Sequence, residues 1–522
     1  MTLPHAYAYH PVIDPETVHR TRLANGLTVL VRRETASPVA AVVTYVKAGY
    51  FDETDDVVGI AHVLEHMFFK GTPTRGVGEI ARQTKASGGY LNAHTIYDHT
   101  AYYAVLPSSG FAAGLEVQAD AYANSLIEGD ELRRELEVII QEAKRKTDNP
   151  YSVATETLYE LLHDRHRMRR WRIGREEGLR ALTRDALLGF YRNFYRPCNT
   201  ILSIVGDVDV ERTMEAVERL YGHLPELPVT RTPGPAEPEH AEFRYREWSG
   251  DIQQTQLVAG WRTPGLLHSD TPSLDLAAAV LGSGRASRLY RAVRERQLAS
   301  SVTAYDYTPG EVGVFVIHAE TPPETAAEAA RASWAQLRSL LQEGVGAHEL
   351  ERSRRLYEAR WLRRLETVEG QAHYLAEWEA AGDWAVGERY LGRILSADQE
   401  QVNDVVRRYL VPDRAGLVVY RPDGTPELAR DAEAMRAMLR GAPALHLPPT
   451  PPRAAAPAPT PGGRPELERR EAGVHVFRTA RGLPILVWPK PGALIAYAGV
   501  YFGGGSAEEP VERAGLTKLL AR

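Results

Sequence analysis

The spacing of hydrophobic positions along this chain changes several times, and each change marks an element. Residues 26–31 (Gly-Leu-Thr-Val-Leu-Val) and 39–47 are rich in β-branched side chains, which predicts two strands joined by the polar stretch 32–38. After Gly59 the spacing becomes helical, and a second short helix is expected over 79–86. Gly88-Gly89 punctuates the chain before two strands, 90–95 and 100–106. Helical patterns follow at 111–125, 131–146 and 152–162, then a strand at 200–205 and a helix at 210–221. These elements make a first α+β unit, 1–230, followed by a Pro- and Glu-rich linker at 231–242. A second unit of similar make-up spans 243–441, with strands near 255–259 and 313–318 and helices at 274–281, 325–341 and 347–365.

Residues 442–465 are dense in Pro and Ala, cannot bury a core, and are expected to form an extended tether. Beyond it, residues 466–522 repeat the start of the chain at a constant offset of 456 without a gap. Val18/Val474, His19/His475, Gly26/Gly482, Leu30/Leu486, Tyr45/Tyr501, Glu53/Glu509, Gly59/Gly515 and Leu64/Leu520 all match. A repeat of that period signals a duplicated domain pair rather than a solenoid. The second copy stops inside a helix with half its sheet unpaired, so the chain is expected to be the front part of a longer protein.

Composition narrows the function only modestly. At 522 residues, 43% hydrophobic and 25% charged, the chain has the make-up of an ordinary multidomain globular protein. A net charge of −6 gives no support to a nucleic-acid partner, and the basic run 167–172 is best read as a solvated face. The single cysteine, Cys198, excludes an internal disulfide framework and reads as a buried structural thiol. With no leader-like start and no run of about 18 apolar residues, the expected compartment is cytoplasmic and no membrane partner is expected. A mature periplasmic chain that had lost its leader would have the same sequence features.

The chemistry concentrates in His62-Val63-Leu64-Glu65-His66. On a helix, His62, Glu65 and His66 share one face, so two imidazoles can hold one zinc ion with a carboxylate beside its open position. Such a site usually adds one more carboxylate or imidazole. The segment 131–142 offers Glu135 and Glu142, seven residues apart and hence on one face of a helix. In the second copy His62, Glu65 and His66 become Lys518, Ala521 and Arg522, so that copy has lost the site.

With this pentapeptide and the glutamate some 75 residues on, the chain resembles the M16 metallopeptidases, the group of pitrilysin, insulin-degrading enzyme and mitochondrial processing peptidase. Asn92-Ala93-His94-Thr95, Ser287-Arg288-Leu289-Tyr290 and the run 193–207 carry the resemblance across the first two units. It implies an α+β fold: tandem homologous LuxS/MPP-like α/β domains, each a mainly antiparallel sheet packed with helices, in a clamshell around a chamber. The resemblance makes His62, His66 and Glu142 the ligands of one zinc ion and Glu65 the base that activates the zinc-bound water. Glu135 becomes a supporting catalytic residue, and Asn92, Ala93 and Arg294 become substrate contacts.

The implied activity is zinc-dependent endopeptidase hydrolysis of unfolded peptides. A processing peptidase acting on one leader and a non-catalytic peptide-binding or scaffold subunit are the alternatives. One feature departs from the family. Where a tyrosine should follow Arg294, the chain has Ser300 and Ser301, so a second M16 half, fused or separate, is expected to supply the pair.

Overall fold

The computed structural model describes residues 12–443, 445, 447, 463–490, 493 and 495–521. The described residues up to 447 pack as one compact unit, and those from 463 onward form a second. Most of the tether expected at 442–465 lies outside the described residues.

The first half runs β1 (Val18–Arg22), β2 (Thr28–Arg33), β3 (Val39–Val46), α1 (Ile60–Met67), α2 (Glu79–Ala86), β4 (Tyr90–Thr95) and β5 (Thr100–Pro107). It continues with α3 (Phe111–Asn124), α4 (Gly129–Thr147), α5 (Pro150–Leu162), α6 (Glu176–Ala181), α7 (Arg184–Phe194), β6 (Thr200–Gly206) and α8 (Val210–Tyr221). Its six strands form one sheet in the order β1-β2-β6-β3-β5-β4, antiparallel except where β2 meets β6. The central β3 is apolar on both faces apart from Thr44, because α-helices cover it on both sides. Only the rims are polar: β1 presents Arg20 and Arg22, and β4 is the opposite edge.

The second half comprises β7 (Arg244–Gly250), β8 (Thr255–Pro264), α9 (Thr271–Gly282), β9 (Ser301–Tyr307), β10 (Val312–Thr321), α10 (Ala326–Glu343) and α11 (Ala347–Arg364). After them come α12 (Val368–Ala380), α13 (Val386–Ser396), α14 (Gln399–Tyr409), β11 (Gly416–Pro422) and α15 (Ala432–Arg440). Its sheet order, β7-β11-β8-β10-β9, repeats the order of β2 to β4 in the first, again with one parallel pair.

The halves exchange a helix. α5 lies on β8 and β11 of the second sheet, and α12 lies on β3 and β6 of the first. One core therefore joins Ala41, Val43, Tyr45, Ile201 and Val205 to Ala372, Leu375 and Ala376. The other joins Leu158 and Leu162 to Val258, Val316 and Val418. Gly260 lets α5 approach, since a Cβ there would sit 2.7 Å from a Leu158 methyl. Cys198 is half-buried rather than sealed in, its thiol donating to the Leu227 carbonyl at 3.3 Å.

The second unit holds an antiparallel sheet, β12 (Glu466–Glu471), β13 (Val474–Arg478) and β14 (Pro484–Val487), and a short helix, α16 (Leu516–Leu520). β13 matches β1 residue for residue at the offset of 456. Gly26 and Gly482 both take the left-handed conformation, as do Gly59 and Gly515. Among the described residues no helix is long and apolar enough to cross a membrane.

Candidate metal centre

α1 begins where Gly59 turns at φ 95°, a position only glycine suits because a Cβ would meet the Ile173 carbonyl at 2.6 Å. Ile60, Ala61, Val63, Leu64 and Met67 are buried in the core that also holds Leu158 and Leu162. That packing turns His62, Glu65 and His66 to the remaining face. α4 is fixed by Leu132, Leu136, Ile139, Ile140 and Ala143 in the same core. It presents Glu131, Glu135 and Glu142 to the α1 side.

Three donor atoms converge. Glu142 Oε2 stands 3.8 Å from His62 Nε2 and 3.6 Å from His66 Nε2. One ligand atom from each of the three residues lies within 4.8 Å of the others. A tetrahedral zinc ion about 2.0–2.2 Å from each donor would hold them roughly 3.4 Å apart, so the donor set fits such an ion with little movement. His66 Nδ1 is engaged by Glu135 Oε1 at 2.8 Å, which leaves Nε2 for the ion. Lys70 Nζ in turn pairs with Glu135 Oε2 at 2.5 Å and with Glu131 Oε1 at 3.3 Å. Among the described residues His62 has no such orienting partner: its Nδ1 is buried without a hydrogen bond, and packing sets the ring.

The electrostatics suit these roles. Burial, with help from His66 and Lys146, pushes His62 down to about 3, so it is neutral at physiological pH. Burial acts the same way on His66, but the hydrogen bond to Glu135 and the Glu65, Glu135 and Glu142 charges outweigh it and raise its pKa. Glu135 is opposed by burial yet held below the usual carboxylate range by His66 and Lys70. Burial raises Glu65 above its ordinary value, while the Thr95 hydroxyl, donating to Glu65 Oε2 at 2.6 Å, pulls it back.

The other expected site residues fall into two groups. Asn92 and Ala93 lie on β4, the open edge of the sheet, and Asn92 Oδ1 accepts the Ala93 N–H at 2.9 Å. Thr95 ends the same strand and donates its hydroxyl to Glu65. Arg294 is different: it is exposed at the end of the turn Tyr290–Arg294 in the second half. Among the described residues no hydrogen bond or ion pair joins it to the cluster. Tyr305 bonds to the Tyr151 hydroxyl at 2.9 Å, and Tyr307 packs on Tyr97 and Tyr159, so both are engaged with other tyrosines.

Sequence reasoning missed Thr95 as a partner of the base, Lys70 and Glu131 as the charges around Glu135, and Glu53 beneath α1. Glu131 had a signal, since it lies one helical turn before Glu135. Thr95 and Lys70 act across the fold and had none.

Comparison with known proteins bears on the family and the fold. Residues 28–172 match the family described as Insulinase (Peptidase family M16), and residues 181–357 match Peptidase M16 inactive domain. A protein of Mycobacterium tuberculosis named an uncharacterized zinc protease is 30% identical over 414 residues, covering 78% of this chain and 93% of its own. Another of that name from Rickettsia felis is 31% identical over 315 residues, 59% of this chain and 74% of the relative. The crystal structure of a protease from Helicobacter pylori, 25% identical, superposes with a TM-score of 0.74 over 78% of this chain and 99% of that one. The periplasmic protease PqqL from Escherichia coli, 17% identical, shares the fold over 93% of this chain and 57% of its own, with a TM-score of 0.71. The chain belongs to the M16 peptidase family.

Proposed function

We propose that this protein is a zinc-dependent endopeptidase acting on unfolded peptides, with one zinc ion held by His62, His66 and Glu142. The observation that carries the reading is the convergence of those three donors beside a partly desolvated carboxylate, Glu65, at the end of an open sheet edge. When bound, the ion supplies a Lewis acid that acidifies water and polarises the scissile carbonyl. Everything else is done by the chain. A peptide adds as a strand along β4, its backbone met by Asn92 and Ala93. Glu65 takes the proton of the attacking water and hands it to the leaving amine, and its raised pKa suits both directions of transfer. Thr95 keeps the carboxylate aimed, and Glu135 keeps His66 in the tautomer that offers Nε2. Arg294 serves substrate only once a second M16 half, fused or separate, completes the site.

On this reading that half would cover apolar side chains of the second unit. Tyr497, Tyr501 and Phe502 are each more than 84% exposed, whereas their counterparts Ala41, Tyr45 and Val46 are buried in the first copy. Metal analysis of the purified protein should find one zinc per chain. Digestion of an unstructured peptide mixture should give internal cleavages that stop when a chelator is added and resume with zinc. Metal-free protein, or cleavage indifferent to the chelator, would refute the reading.

A further inference from the structure

α1 is a two-turn helix with a glycine at its N-cap, so it has neither the length nor the cap to hold itself. What holds it lies outside the helix. Glu53, 3% exposed, accepts the Ala61 N–H on Oε1 at 3.1 Å, and the Gly59 N–H beside it also favours its charged form. Arg170 donates to the Glu53 main-chain carbonyl at 2.9 Å and pairs with Asp55, so its charge acts on Glu53 without an ion pair between the two side chains. A buried carboxylate whose partners are backbone amides is costly to keep unless those amides need it.

The repeat isolates what the carboxylate is for. Glu509, the counterpart of Glu53, accepts the Thr517 N–H at 2.6 Å and the Gly515 N–H at 2.5 Å. Thr517 and Gly515 are the counterparts of Ala61 and Gly59 at the offset of 456. In that copy Lys518 and Ala521 stand where His62 and Glu65 stand in the first. The same cap therefore serves a helix with the metal chemistry and a helix without it, and its task is to set the helix. In α1 the capped amide belongs to the residue directly before His62.

We propose that Glu53 is a positioning residue of the metal centre, a cap supplied from outside α1 that fixes the helix start and thereby sets His62 and His66 against Glu142. This rests on the zinc reading given above. In the first copy the capped helix has its ligands only one and two turns from the cap, so a shift of its first turn moves His62 most. His62 is also the ligand with no orienting hydrogen bond of its own.

Titration of the metal-free protein with Co²⁺, read by the visible absorption of the bound ion, tests the proposal without reference to activity. Glu53→Ala should weaken Co²⁺ binding by roughly 10- to 100-fold, as loss of an orienting partner does, and should alter the absorption bands. Glu53→Gln, which keeps one acceptor oxygen, should fall between Ala and the native residue. Glu509→Ala should leave affinity and spectrum unchanged. Should Glu53→Ala fail to fold, Glu53→Gln and Glu53→Asp carry the same comparison. Native affinity and spectrum in the Glu53 variants would overturn the proposal, as would an equal loss in Glu509→Ala. If the unaltered protein took up no Co²⁺, the zinc reading itself would fall.

Discussion

His66 and His62 differ in a way that governs how the centre responds to pH. His66 shares its Nδ1 proton with Glu135 and stands among three carboxylates, so it holds a proton above the usual histidine pKa. Zinc at Nε2 must displace the proton that the imidazolium carries there, so affinity should fall as pH drops through the raised value. Replacing Glu135 with Gln removes the charge that raises His66 and leaves only a neutral amide oxygen, a weaker acceptor, to orient the ring. Two effects are expected together: zinc binding weakened about 10- to 100-fold at neutral pH, and an affinity loss that begins at a lower pH than in the unaltered protein. Competition with a chelator between about pH 5.5 and 8 measures both. Weakening without the shift in pH dependence would mean that Glu135 supports the helix and leaves the ligand's protonation alone. In the sequence, Glu142 and Glu135 were legible as one helical face, but which of them bound metal rested on the family resemblance. The hydrogen bond of Glu135 to His66 and its ion pair with Lys70 belong to the folded arrangement of α1 and α4.

Among elements, strands buried on both faces and helices with a continuous apolar stripe were the readable ones. β3 and α4 are of these kinds, and each falls within a residue or two of its expected range. β7 (Arg-Tyr-Arg-Glu-Trp-Ser-Gly) was not read, because this edge strand is made of half-buried and exposed residues, three of them charged, and carries no apolar run. α9 shows another limit: its pattern says helix, yet nothing in it announces that Asp275 is half-buried with its carboxylate receiving the Tyr357 and Tyr390 hydroxyls at 2.8 and 2.5 Å. Burial raises Asp275 from an ordinary 3.8 to about 6, with the two hydroxyls opposing. A carboxyl whose folded pKa is raised contributes stability that is complete below the unfolded value and is lost as pH rises through the folded one. Above pH 6 this amounts to a penalty of at most roughly 3 kcal/mol. Asp275→Asn, which still accepts from both tyrosines, should therefore raise the unfolding temperature more at pH 8 than at pH 5. An equal change at both would show that Asp275 titrates normally.

At the scale of the molecule, the exchange of α5 and α12 was beyond sequence reasoning, which saw two units in succession. Each sheet completes its core with a helix from the other half, so the half that carries His62, His66 and Glu142 does not bury its own rear face. The repeat, by contrast, was legible because offset identity survives even where chemistry does not: Glu53 and Glu509 kept their capping role while the ligands became Lys518 and Arg522, the latter outside the described residues. The first copy alone combines the fold, the three donors and the base. Glu65→Gln isolates the last of these, since the amide preserves shape and the Thr95 contact but cannot take a proton. The decisive measurement is zinc content and peptide hydrolysis on that one variant: zinc should remain at one per chain while hydrolysis falls by at least ~10²- to 10⁴-fold, and hydrolysis retained at the native rate would contradict the role given to Glu65.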